Sequence, residues 1–303
     1  ILSYISPSNI AEYFNSLNQK ESFLIDKLTC SFFYKKEIEK KFKYSEIIDP
    51  IFLLKAKKNN VEINNTIKTH ISDGVALTKF IFWIKSNIKK TKITELSAQN
   101  KLEKFRKQNK DYIFPSFNTI SGSGPNAALP HYKANSKTNR TINKNDIFLC
   151  DSGGQYHYGT TDVTRTICFS KQPKKIKNIF TKVLKGHIGV ATYNLKKKTF
   201  GKQLDIVARA ALKKDGLDYA HGTGHGVGYF LNVHEGPQAI TKINNIKFEK
   251  GMIVSNEPGY YEKNKFGIRI ENLIYIKKIK NKLKFENLTL APIEKDLINY
   301  KLL

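Results

Sequence analysis

A chain of 303 residues with 40% hydrophobic and 12% aromatic side chains can bury a core without staples, which excludes a disordered tail and a small disulfide scaffold. No run reaches the roughly 18 consecutive apolar residues of a membrane-spanning helix, and no basic segment leads into an apolar stretch and cleavage site at the N-terminus. The formal charge of +26 comes almost wholly from lysine, since only five of the 52 basic residues are arginines.

Patches such as Lys171 to Lys177 and Lys277 to Lys284 lack the interleaved aromatics and arginines of a nucleic-acid groove. They read as a solvated lysine coat, with neither nucleic acid nor membrane as partner. Cys30, Cys150 and Cys168 form no CxxC pair, so reduced thiols in a cytoplasmic protein are expected. The chain does not begin with Met, as a fragment or processed protein would not.

In chain order, residues 1–52 mix short apolar runs with a charged, helix-like stretch from Lys35 to Lys43 and end at Asp49-Pro50, a turn signal. They are expected to be a remnant of a preceding domain, with a catalytic domain over residues 53–303. Ile67, Ile71, Val75, Thr78 and Phe82 recur at helical spacing and are taken as an apolar face; Leu96 to Phe105 continues as a second helix. A loop is predicted over Ser121 to Asn126. Strands follow from Ile147 to Ser170 around a turn at Tyr158-Gly159. Pro173 opens a helix carrying Ile176, Ile179, Val183 and Ile188. Another runs from Gln203 to Lys214, closed by Gly216. Strands are expected through Met252 to Ser255 and Phe266 to Ile276. Two helices then strands, twice over, predict an α+β fold with helices on one side of an antiparallel sheet.

Three clusters could carry chemistry. Asp151 and Asp162 lie eleven residues apart across a turn, and a hairpin there would bring them together; taken alone, a turn cap and a surface residue are the favoured reading. Two close carboxylates would repel unless a cation lay between them. His221-Gly-Thr-Gly-His225-Gly-Val-Gly places two histidines at i and i+4, but its four glycines argue for a loop or strand end, not a zinc-binding helix. His234-Glu235 follows nine residues after His225 and favours a site. Glu257 lies in Asn-Glu-Pro-Gly-Tyr-Tyr261. In Gly-Ile-Arg-Ile-Glu-Asn, period-two alternation sends Arg269 and Glu271 to one face and Ile268 and Ile270 to the other; a structural Arg–Glu pair fits equally well. One imidazole with four carboxylates is a hard, oxygen-rich ligand set.

The order Asp–Asp–His–Glu–Glu, within DSGGQYHYGTTDVTRT, HGTGHGVGYFLNVHEGP and NEPGYY followed by FGIRIEN, resembles the metallopeptidases of the pita-bread fold, and among these aminopeptidase P of the larger, eukaryotic-cytosolic type. The similarity runs from about Ile51 to Ile293. The resemblance implies a pita-bread domain behind a remnant of a creatinase-like N-terminal domain, and hydrolysis of an N-terminal Xaa-Pro bond by a hydroxide held between two metal ions. It implies Mn²⁺, with Zn²⁺ or Co²⁺ as alternatives, bound by Asp151, Asp162, His225, Glu257 and Glu271. Asp162 and Glu271 would bridge the ions. Glu257 would be general base; His131, His221 and His234 would handle protons and substrate; Arg269 and Tyr261 would support the substrate. It further implies peptide substrates with proline second and a homodimer. The rivals are a prolidase, a methionine aminopeptidase and a metal-free peptide-binding module.

Overall fold

A computed structural model describes residues 3–196 and 198–303 of the chain, which divides into two compact units, Ile1–Leu54 and Lys55–Leu303. In the first, strands β1 (Ser22–Ile25) and β2 (Lys43–Glu46) pair in parallel, accompanied by helices α1 (Ile10–Ser16) and α2 (Phe32–Glu39). Ile25, Ile38 and Phe42 form its small buried core. Helix α3 (Pro50–Ala56) crosses the boundary between the units.

The larger unit opens with α4 (Asn60–Asn87) and α5 (Glu95–Arg106). Asn59 starts α4 with a reciprocal capping box: its side chain accepts from the Glu62 amide while Glu62 accepts from the Asn59 amide. The helix is where periodicity predicted it, but it is buried on a different face. Ile71, Val75 and Phe82 are 49%, 51% and 74% exposed, whereas Ile63, Leu77, Phe80 and Ile84 are buried. Apolar spacing misled because part of the core face is polar. Asp73, buried there, receives both Arg106 Nε (2.7 Å) and Nη2 (3.1 Å) and the Tyr156 hydroxyl (2.7 Å), so a fully paired carboxylate occupies a position that hydropathy assigns to solvent.

Strands β3 (Tyr112–Pro115) and β4 (Ile120–Ser123) come next. The predicted loop over Ser121 to Asn126 is the end of β4 followed by a 3₁₀ turn, Gly124–Ala128; a run of Ser and Gly hides a strand whose residues are all buried. β5 (Ile147–Ser152) then pairs antiparallel with β4 on one edge and β8 (Val163–Cys168) on the other. Between β5 and β8, the short β6 (Gly154–Tyr156) and β7 (Gly159–Thr160) make a separate hairpin on β3, turning at His157-Tyr158. Helices α6 (Lys174–Ala191) and α7 (Gly201–Lys213) follow, the chain turning away after the latter at Gly216, which takes φ +70°.

The remaining strands are β9 (Gly224–His225), β10 (Ala239–Ile240), β11 (Ile253–Asn256), β12 (Gly259–Glu262), β13 (Phe266–Arg269), β14 (Asn272–Ile279) and β15 (Lys282–Asn287). The expected single strand from Phe266 to Ile276 is thus two, broken at Ile270-Glu271. β13 turns back on β12, while β14 is the centre of an antiparallel β11–β14–β15 sheet.

Alternation along these strands separates core from site. Phe148, Cys150, Val163 and Ile167 pack under Phe80, Ile84, Ala98 and Leu102 of α4 and α5; Asp151, one residue on, faces the other way. Val254, Ile274 and Ile276 pack under Val190, Leu204 and Ala208 of α6 and α7, so Ser255 and Glu257 again face away. Each fully buried aliphatic side chain contributes about 2 kcal/mol. In this α+β arrangement α4 and α5 cover one face of the β4–β5–β8 sheet and α6 and α7 one face of the β11–β14–β15 sheet, while Ile63 of α4 reaches the other face of the latter beside Ile253, Leu273 and Tyr275; Asp151 and Glu257 emerge away from α4–α5 and α6–α7 respectively. No helix among the described residues is long and apolar enough to cross a membrane.

Candidate metal centre

Asp151, at the end of β5, stands opposite Thr164 of β8, and Asp162 immediately precedes β8. Strand pairing thereby brings together two carboxylates eleven residues apart. From the other sheet, Glu257 follows β11 and Glu271 precedes β14. His225 lies in β9, paired with Ala239 of β10. Its strand must run close against β11: a Cβ at Gly224 would fall 1.9 Å from the Ser255 carbonyl oxygen, which explains a glycine at this position.

All five residues line one cavity of about 500 Å³, together with His131, His221, His234 and Arg269. His225 Nε2 lies 3.5 Å from Asp162 Oδ2 and 3.4 Å from Glu257 Oε1. Donor atoms of Asp151, Asp162 and Glu271 all fall within 4.8 Å of one another, as do those of His225, Glu257 and Glu271. Asp162, His225 and His234 form a third such group, so His234 stands nearer the ligand cluster than its expected substrate role required. The His225 and His234 rings are 4.0 Å apart.

The electrostatics of this cluster are unfavourable on their own. Burial and the charges of Asp151 and Glu257 push the Asp162 carboxyl well above its ordinary range. Burial, with Asp162 and Glu257, does the same to Glu271; burial also raises Glu257. Among the described residues the one buried cation lining the cavity is Arg269, whose Nη2 donates to Asp151 Oδ2 at 2.6 Å. Asp151 Oδ1 and Asp162 Oδ1 are buried without a hydrogen-bond partner among the described residues. Four carboxylates facing one guanidinium, with two orphaned oxygens, suit two divalent cations: charge and donor set both fit.

Several side chains hold these groups in place. Thr164 donates to Glu271 Oε2 at 2.6 Å, and Ser255 to Glu257 Oε1 at 3.0 Å. Asn256 and His187 exchange hydrogen bonds, His187 Nδ1 to the Asn256 carbonyl and Asn256 Nδ2 to the His187 carbonyl, bracketing the strand end before Glu257. Burial and the Arg165 charge push His187 down to about 4, so it is neutral at pH 7. Arg269 Nη1 donates to the Tyr261 hydroxyl at 2.5 Å, and that hydroxyl lies 2.9 Å from His221 Nε2. His221 Nδ1 lies 2.7 Å from the Gly222 carbonyl; a carbonyl only accepts, so Nδ1 carries the proton and Nε2 accepts from Tyr261. His131 is exposed at the cavity wall.

Sequence reasoning passed over Thr164, Ser255 and Lys58. Thr164 and Ser255 had a legible signal, since each lies two residues from a cluster carboxylate. Lys58 had none. Its buried ammonium donates to the Val227 carbonyl at 2.6 Å and lies 3.7 Å from Glu235 Oε1, while the Glu235 amide donates to the Gly226 carbonyl at 2.8 Å. Lys58 and Glu235 so close the loop between His225 and His234. Among the described residues, Lys58→Met leaves the buried Glu235 carboxylate with Lys55 as its one ion-pair partner, 3.2 Å away and partly exposed. The expected loss is about 3 kcal/mol in urea unfolding; a variant as stable as the parent would refute this account of the loop.

Residues 66–278 match metallopeptidase family M24. A probable Xaa-Pro aminopeptidase P of Laccaria bicolor is 46% identical over 272 residues, 86% of this chain and 42% of that protein. Xaa-Pro aminopeptidase 1 of Dictyostelium discoideum is 45% identical over 271 residues, 85% of this chain and 43% of its own length. The chain spans less than half the length of these relatives. Among solved structures, an X-prolyl aminopeptidase from Caenorhabditis elegans, described as a cytosolic enzyme with a di-nuclear active site, superposes with a TM-score of 0.82 at 38% identity, over 88% of this chain and 45% of that one. The prolidase from Pyrococcus horikoshii OT3 gives 0.81 at 28% identity, over 94% and 78%.

Proposed function

Because the chain belongs to metallopeptidase family M24, we propose that its cavity releases the first residue from peptides whose second residue is proline. The observation that carries the catalytic reading is the convergence of four carboxylates and one imidazole, buried beyond what a single arginine can neutralise. The substrate class rests on the names of the relatives at 45–46% identity. Asp151, Asp162, His225, Glu257 and Glu271 would hold two divalent ions, Mn²⁺ by the hardness of the set. Such ions would polarise the scissile carbonyl and acidify the attacking water.

The chain's own side chains do the rest. Glu257, raised by burial and steadied by Ser255, is suited to take the water's proton and deliver it to the leaving nitrogen. Burial pushes His221 and His234 down to about 4, so both are neutral at pH 7. His221 is engaged by Tyr261 and Gly222, which makes it a positioning group. His234 makes no protein hydrogen bond among the described residues and lines the cavity, free to donate to the carbonyl oxygen as charge develops there. Arg269 holds Asp151 and Tyr261 together. His131 would meet the substrate at the cavity mouth. Proline, a tertiary amide, offers no N–H to the site and fixes the chain direction. The first unit would be the remnant of a preceding domain. The C. elegans enzyme's description as cytosolic supports a cytoplasmic setting.

Release of the N-terminal residue is to be measured on Arg-Pro-Pro and on an Xaa-Pro dipeptide, with metal-free and Mn²⁺-loaded protein. Metal-dependent cleavage of the tripeptide is the expected result. Cleavage of the dipeptide alone would make the chain a prolidase, and bound metal without any cleavage would overturn the peptidase reading.

A further inference from the structure

On another part of the larger unit, a cavity of about 570 Å³ is lined by Lys85, Lys89, Lys171, Lys177 and Lys295. Its volume lies in the range of small-ligand sites, roughly 300–1,000 Å³. Lys85 comes from the last turn of α4 and Lys89 from the turn that follows it, Lys171 from the segment after β8, Lys177 from the first turn of α6, and Lys295 from the 3₁₀ turn Lys295–Leu297. Among the described residues one acid lines the cavity and another pairs with its lining residues. Glu294 is already committed, to Lys85 Nζ at 2.5 Å and to the Cys168 amide at 3.3 Å; Asp296 lines the cavity. Lys89, Lys171, Lys177 and Lys295 have no ion-pair partner among the described residues.

A lysine coat spreads its charges over a convex surface, where water and salt screen each one. Here the fold gathers five lysines from four segments around one concavity, one of them already paired with Glu294, so that the positive charge brought together there favours an anion. Phe169 and Tyr300 complete the wall with flat apolar surface. No arginine contributes, so planar two-point recognition of a carboxylate is absent. Point-charge donors arranged around a compact anion are the mode by which lysine binds phosphate. The carboxylate-lined catalytic cavity has the opposite sign and would repel the same ligand.

We propose that this cavity binds a small, soluble, polyphosphorylated anion, independently of the peptidase site. The full chain should be titrated calorimetrically with tripolyphosphate in buffer containing EDTA, so that no metal in the catalytic cavity captures the probe. Saturable one-to-one binding is expected, weakened at least about tenfold in Lys171→Gln/Lys177→Gln/Lys295→Gln, given that a hydrogen bond to a charged group is worth about a factor of ten. A control triple variant, Lys277→Gln/Lys278→Gln/Lys282→Gln, and Asp162→Asn should both bind as the parent does. Should the first triple variant fold poorly, Lys171→Gln and Lys295→Gln singly must each weaken binding. Equal weakening in the control triple variant, or no saturable binding, overturns the proposal. So does binding to vesicles containing a phosphoinositide without binding to tripolyphosphate, since the phosphate would then belong to a membrane.

Discussion

Asp162→Asn should lower peptide hydrolysis by on the order of 10³ or more and, in metal-free protein, raise stability. The two effects have one cause. Asp162 contributes to two of the three donor groups in the cavity, with Asp151 and Glu271 and with His225 and His234, so its loss leaves neither group complete. Without metal, the same carboxylate is a liability: burial and its acidic neighbours hold its pKa well above the usual 3.8. A carboxyl raised in the folded state favours folding only below its unfolded pKa, and that contribution fades as pH rises through the folded value. The metal-free parent should therefore lose stability as pH rises from about 4, and the isosteric amide should flatten that slope. Urea midpoints between pH 4 and 8 in EDTA measure the second effect; peptide release with Mn²⁺ measures the first. A variant with parental activity would remove Asp162 from the catalytic set. Unchanged pH dependence would mean that the carboxyl is not strained in the empty site.

Arg269→Met should have the opposite effect on the metal-free protein. Arg269 is 3% exposed and donates to Asp151 (2.6 Å), Tyr261 (2.5 Å), Thr164 (3.1 Å) and the Pro130 carbonyl (3.3 Å). Removing it leaves the buried carboxylates with no buried cation beside them among the described residues, a loss of about 3–5 kcal/mol. Arg269→Lys should restore only part, because one ammonium cannot span four acceptors in a plane. Divalent ions supply positive charge to the same cluster, so Mn²⁺ should stabilise the Met variant more than it does the parent. Unfolding midpoints with EDTA and with Mn²⁺ test this. An equal metal-induced shift in both proteins would show that Arg269 pairs with Asp151 without neutralising the cluster.

Much of the architecture was legible because local rules and tertiary packing agree. Pro173 stands at the N-cap of α6, and Gly216 takes the left-handed conformation after α7. Period-two alternation put Arg269 and Glu271 on one face, and both are buried beside Asp151 or its partners. What stayed hidden depends on partners distant in sequence. The apolar stripe Ile71, Val75, Phe82 faces outward because Asp73, which looks like a surface residue, is buried, neutralised by Arg106 and hydrogen-bonded by Tyr156 from two other elements.

The sequence by itself determined which carboxylates and histidines stand in the three motifs, their order along the chain and the family to which the chain belongs, since residue types and spacing suffice for these. Only the tertiary structure decided that Asp151 and Asp162 meet through β5–β8 pairing and not as a simple hairpin, that Tyr261 occupies His221 while leaving His234 free, and that five lysines from four segments share one cavity. Hydrogen bonds and Coulomb forces act over a few ångströms, and it is folding, not sequence separation, that sets those distances.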